Sequence, residues 1–182
     1  MRTIIIKCIF AFLFFTVSAK AQTPALPIDE ETKLIAYTKV VEIAGVSKAD
    51  LYSRALAWAN KYYKNPAEVI REKDAAAGKM VCKARFKLMG EPDKKGFQSD
   101  DGNVQYTLTI EAKEGKYRYK LSEINHKQQS YFAAERWMDT KNQYYTKEWD
   151  FYLKETDEAA KGIVANLEKD MQQTPKVKKD DW

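Results

Sequence analysis

The sequence predicts an α+β fold, an antiparallel sheet in β-α-β-β-β-β-α order with both helices on one face. Three observations carry that prediction. Several segments alternate apolar and polar residues with period two, two segments carry apolar residues at helical spacing, and short stretches rich in Gly, Pro and Asp separate them. The length of 182 residues suits one domain. With 45% hydrophobic and 31% charged residues the chain holds material for a core, which excludes low-complexity, collagen-like and polytopic membrane classes.

Residues 1–21 stand apart as a secretory signal. Arg2 and Lys7 form a basic start, Cys8 to Val17 an apolar run, and Ala19-Lys20-Ala21 an A-x-A cleavage site, so cleavage is expected after Ala21. The run is about half the roughly 20 residues a bilayer span needs, and no transmembrane segment is expected after cleavage. The localisation expected is periplasmic or secreted. Loss of Arg2, Lys7 and Lys20 turns the formal charge of +5 into 28 basic against 26 acidic groups, a net of +2 over 161 residues. Only Cys82 remains, so no intramolecular disulfide can form, and burial is the expected state of a lone thiol outside the cytoplasm.

Residues 22–174 form the single expected domain. Pro24, Pro27 and the acidic run Asp29 to Glu31 suit an extended lead-in. Leu34 to Ile43 is β-branched and aromatic, and this first strand ends at Gly45. Ser47 is placed to cap a helix, with Asp50 three residues on, and Leu51, Ala55, Trp58, Ala59 and Tyr62 share one face. Asn65-Pro66 stops that helix.

A short strand is expected at about 68–73, broken by Asp74 to Gly78. Met80, Cys82, Ala84, Phe86 and Leu88 then alternate with Lys79, Val81, Lys83, Arg85 and Lys87, which places Cys82 on the buried side. Gly90 to Gly102 reads as a long polar loop. Val104, Tyr106, Leu108, Ile110 and Ala112 alternate again, Glu114-Gly115 makes a tight turn, and Tyr117, Tyr119 and Leu121 continue on a return strand that His126 ends. Residues 127–149 form an aromatic-rich insertion without sustained strand alternation. A helix over 150–172 carries Leu153, Ala160, Val164, Leu167 and Met171 on one stripe, with Gly162 costing about 1 kcal/mol relative to alanine. Residues 175–182 have no pattern and read as a disordered tail.

Several of these stretches together resemble a known family. They are Leu26-Pro27-Ile28-Asp29, the strand Tyr37 to Glu42, Gly45-Val46-Ser47-Lys48 leading into Leu51-Tyr52-Ser53-Arg54-Ala55, Trp58, Gly78-Lys79 and the strand Tyr106 to Ile110. The pattern resembles a family of exported bacterial proteins known as a domain of unknown function with a TATA-binding-protein-like (TBP-like) fold. The resemblance covers about residues 26–125 and implies the same element order. It brings no catalytic motif and no established activity.

The segment outside the resemblance holds the main candidate site. Tyr131, Phe132, Trp137, Tyr144, Tyr145, Trp149, Phe151 and Tyr152 put eight aromatics in 22 residues, where the 19 aromatics of the mature chain would give about 2.6 by chance. Tyr131, Phe132, Trp137, Tyr144, Tyr145 and Trp149 are the expected contact residues for an unidentified protein or glycan partner in the cell envelope, since aromatic side chains offer large, rigid contact area. The competing reading is a lid packed on the sheet or the last helix.

Other sites are weaker. The outer sheet face, with Lys83, Arg85, Lys87, Arg118 and Lys120, lacks the apolar wedges and stacking aromatics of nucleic-acid binders, so no nucleic-acid partner is expected. His126 has Ser122, Ser130 and Glu123 near it in sequence but belongs to no catalytic motif, and an ordinary edge histidine is the expectation. Asp100-Asp101-Gly102-Asn103 lacks the ligand spacing of a calcium loop and reads as a hairpin turn. With one histidine and two cysteines no metal site and no cofactor are expected. The function the sequence supports is an exported, non-catalytic binding or protein-interaction domain. The alternative is an envelope-polymer hydrolase working through carboxylates or His126.

Overall fold

The computed structural model describes residues 26–128 and 130–173. The expected signal peptide with its cut after Ala21, and the tail at 175–182, lie outside the described residues. The chain runs β1 (Tyr37–Glu42), α1 (Lys48–Tyr62), a one-turn α2 (Pro66–Val69), β2 (Ile70–Asp74), β3 (Lys79–Met89), β4 (Asp100–Lys113), β5 (Lys116–Lys127), β6 (Tyr131–Ala133), a 3-10 turn (Ala134–Met138) and α3 (Glu148–Met171). Six antiparallel strands form one sheet in the order β1-β5-β4-β3-β2, with β6 paired to the far end of β5. The predicted α+β architecture is the one observed.

Local chemistry accounts for the boundaries. Ser47 caps α1, its Oγ accepting from the Asp50 amide at 3.1 Å. Pro66 cannot extend α1, yet it stands at the first turn of α2, where a missing amide costs nothing. The sequence reading of a strand from residue 68 therefore yields to a helical turn first. Gly115, at φ +72°, closes the two-residue connection between β4 and β5, where Lys113 faces Lys116. β1 begins at Tyr37, three residues later than the β-branched run suggests, because Ile35 instead bridges back to Ile28.

The sheet buries one face only. Met80, Cys82, Leu88, Val104, Leu108, Ile110, Ala112, Tyr117 and Leu121 turn inward with Leu51, Trp58, Leu153 and Leu167 of the two long helices. Cys82 is inaccessible, as its alternation predicts, and burial pushes its thiol up to about 12. The expected α1 face holds except at its end, where Tyr62 stacks on Trp58 at 5.0 Å but stays exposed, and Tyr63 is the ring that enters the core. Trp58 donates from its indole to Asn166 Oδ1 at 2.8 Å, and Arg54 donates to the Met171 carbonyl at 2.9 Å, satisfying one of the orphan acceptors at the end of α3.

Most polar groups that enter the core are paired, the Tyr117 hydroxyl and Thr156 Oγ1 being buried without a partner among the described residues. Tyr37 donates to Asp157 at 2.9 Å, and Lys161 meets the other oxygen of that carboxylate at 2.7 Å. Tyr119 donates to Glu168 at 2.7 Å. Partial burial would raise the Glu168 pKa, but hydrogen bonds from Lys39 and Tyr119 outweigh it and hold the carboxyl below its usual range. Among the described residues no layer covers the outer face. There Lys79 pairs with Glu72, Lys87 with Asp100, Arg118 with Glu111 and Lys120 with Asp29, so much of its apparent basicity is neutralised in place.

Candidate functional site

One irregularity of β5 builds the site. The pairing of β4 with β5 slips between Gln105 and Thr107, so that Glu123 and Ile124 both stand against Tyr106, and Glu123 adopts φ +52° to make the bulge. An extra residue shifts the alternation of everything after it. Before the bulge Tyr117, Tyr119 and Leu121 point to the core, and after it Ile124 and His126 do. His126 is therefore no edge histidine. It is 3% exposed, on a strand flanked there by β4 and β6, and packs its ring 5.2 Å from Trp137 and 6.0 Å from Tyr152.

The residues read as a hairpin turn, Asp100 to Asn103, instead open β4, which shortens the expected 90–102 loop to 90–99. This placement sets His126. Its Nε2 lies 2.7 Å from the backbone oxygen of Asp101, and because a carbonyl can only accept, Nε2 carries the hydrogen. Tyr152 donates to the Asp101 carboxylate at 2.8 Å. Gly102, at φ +105°, allows the approach: a Cβ there would stand 2.9 Å from the Lys127 carbonyl oxygen.

The segment read as an irregular insertion crosses the sheet end as β6 and the 3-10 turn. With three residues per turn, Ala134 and Trp137 fall on one side, and both are buried. Glu135 ties the turn to the start of the sheet by accepting from the Ile35 amide at 2.6 Å. Arg136 points the other way, its guanidinium carbon 5.1, 5.6 and 5.8 Å from the ring centres of Phe132, Tyr144 and Trp149. Among the described residues no carboxylate forms an ion pair with Arg136.

Beneath this cluster lies a cleft of about 180 Å³ lined by His126, Gln128, Phe132, Arg136, Trp137, Trp149 and Tyr152. The six expected contact residues thus take different places. Trp137 (3% exposed) is part of the cleft's inner wall, Phe132 and Trp149 are half-buried in its lining, and Tyr145 lies outside the lining, edge-on to Trp149 at 5.9 Å and donating to Asp150 at 2.8 Å. Tyr131 (54%) and Tyr144 (61%) are exposed, the former under the Lys127 ammonium at 5.4 Å. Sequence reasoning missed Arg136 and Gln128. Arg136 lies four residues after Phe132, a spacing visible in the sequence, but nothing there shows that Tyr144 and Trp149 come to the same cation.

The lining offers a cation, a carboxamide, an imidazole and flat aromatic faces, with no carboxylate among them. Glu123, the acid nearest His126 in sequence, accepts from Thr107 at 2.7 Å, and the imidazole's bonded partner is a backbone carbonyl. Among the described residues no group of three His, Cys, Asp or Glu is placed to hold a metal ion. No described helix is long and apolar enough to cross a membrane.

Comparison with known proteins gives a fold without an activity. The sequence model described as a domain of unknown function (DUF4468) with TBP-like fold matches residues 37–127. A crystal structure of a TBP-like protein from Parabacteroides distasonis is similar at 17% identity and TM-score 0.62, covering 81% of this chain and 97% of the other. A DUF4468 family protein from Bacteroides ovatus is similar at 19% identity and TM-score 0.64, covering 82% and 93%. No curated protein matches the chain. The matched residues end at Lys127, where the aromatic segment begins.

Proposed function

The chain belongs to the DUF4468 family of TBP-like domains, and on that premise we propose that it is an exported, non-catalytic binding domain of the cell envelope whose contact region is the 131–152 segment. The observation that carries this reading is Arg136, a cation without a carboxylate partner among the described residues, held by three aromatic rings at the mouth of an aromatic-lined cleft. A guanidinium kept in that position with unused N–H donors is a group prepared for a ligand. Exposed Tyr131 and Tyr144 extend the surface around the cleft. The partner is an envelope protein or glycan, and export follows from the basic, apolar and A-x-A pattern of residues 1–21.

Two measurements test the proposal. Fractionation of cells with N-terminal sequencing of the recovered protein is expected to place it outside the cytoplasm and to begin at Gln22. Retention on insoluble envelope polymers is expected for the wild type and lost for Arg136→Ala/Tyr144→Ala with an unchanged circular dichroism spectrum. Equal retention of wild type and variant would remove the segment from the contact surface.

A further inference from the structure

The chemistry of the cleft narrows what can occupy it. A volume of about 180 Å³ is close to that of an engineered cavity, roughly 150 Å³, that holds one benzene ring. One six-membered ring is therefore the size class. Among the described residues the fixed charge in the lining is the Arg136 guanidinium, whose planar fork of donors matches the two oxygens of a carboxylate. Its contacts with Phe132, Tyr144 and Trp149 hold the group in place beforehand, so little side-chain entropy is lost on binding.

The remaining polar groups suit neutral partners. With Nε2 committed to Asp101, His126 has no described partner at Nδ1, and Gln128 brings both a donor and an acceptor. These groups complement hydroxyls. Among the described residues the lining has no acid to receive an ammonium, which disfavours a free amino acid, and it offers side-chain donors where capture of a peptide end uses a nest of backbone amides.

Taking the cleft as a binding site, we propose that its ligand is a carboxylate-bearing pyranose, an acidic sugar unit terminal or pendant on a glycan, with the carboxylate on Arg136 and the ring against the indole of Trp149. The inference rests on the binding reading above but is separable from it.

Titration with three one-ring probes at millimolar concentrations tests it, followed by the indole N–H resonances of Trp137 and Trp149: methyl β-glucuronide, methyl β-glucoside and N-acetylphenylalanine. The glucuronide is expected to shift both resonances and the glucoside to bind at least about tenfold more weakly, the lower bound of what a charged hydrogen-bonded pair contributes. Arg136→Gln is expected to weaken the glucuronide to the level of the glucoside. Arg136→Lys, which keeps the charge and loses the fork, should fall between. Equal binding of glucoside and glucuronide would overturn the carboxylate requirement while leaving the cleft a glycan site. Tighter binding of N-acetylphenylalanine would overturn the sugar and assign the cleft to peptide ends. If no probe moves either indole the inference fails, and retention on envelope polymers separately decides whether the binding reading survives.

Discussion

The sheet-and-helix frame and the 131–152 segment are both rich in aromatic residues, and they use them in opposite ways. In the frame most rings are enclosed, Tyr62 and Phe97 excepted, and several hydroxyls have an assigned partner: Tyr37 on Asp157, Tyr63 against Tyr106 at 3.3 Å, Tyr119 on Glu168. In the segment, rings gather on a cation and leave part of their surface open. Aromatic content alone therefore has two meanings. It stabilises where both the ring and its polar tip are satisfied internally, and it leaves aromatic surface and a cation open to solvent where they are not.

Alkali should break the frame with the largest effect. Burial raises the pKa of Tyr37, Tyr63, Tyr106, Tyr117 and Tyr119 and lifts Cys82 from 9.0 to about 12. The native state then holds protons that the unfolded chain releases, so stability falls as pH rises from about 9 and keeps falling towards 12. The urea midpoint measured from pH 8 to pH 11 is expected to drop steadily, with Cys82 inert to thiol reagents at pH 8 until the chain unfolds. A flat midpoint would show these groups to be solvated.

Trp58→Ala removes a ring that is 1% exposed, together with its hydrogen bond to Asn166, for an expected loss of about 3–5 kcal/mol in chemical denaturation. A loss near that of a surface variant would erase the distinction between the two regions. Tyr37→Phe keeps the ring and leaves one oxygen of buried Asp157 without its donor, at a cost of about 1–3 kcal/mol. Gly102→Ala joins the regions: its strained φ and the clash with the Lys127 carbonyl should cost about 1–3 kcal/mol and shift the Trp137 indole resonance, because the Asp101 to His126 contact moves with it. Smallest is Tyr131→Ala/Tyr144→Ala, expected within about 0.5 kcal/mol of wild type in stability while weakening ligand binding. A large stability loss there would make the segment a structural lid.

Much of the frame was legible because period and capping are local. Ser47 and Asp50 mark the start of α1, Pro66 marks its end, and the alternation through Met80, Cys82 and Ala84 assigns the buried face without knowledge of any partner. The site was half legible. The aromatic density of 131–152 is a sequence property, but which of its rings are exposed, as Tyr131 and Tyr144 are, is not. The role of Trp137 was not, because three-residue periodicity over five positions is too short to separate from a coil. The burial of His126 was hidden for a different reason: a one-residue bulge at Glu123 inverts every later side chain, and Glu123 is an ordinary residue for which φ +52° carries no sequence mark.

The sequence by itself determined the order of the five main strands and two long helices, the antiparallel sheet covered on one face, the place of Cys82 in the core and the position of the aromatic segment, because each follows from residue type and spacing within a dozen positions. Only the tertiary structure decided that Phe132, Arg136, Tyr144 and Trp149 meet, that His126 turns inward to Asp101, and that a cleft of one-ring size opens between them. Those contacts join β4, β5, β6, the 3-10 turn and α3. Such a meeting depends on strand register and on where α3 docks, quantities set by the packing of the whole sheet rather than by any one stretch of chain.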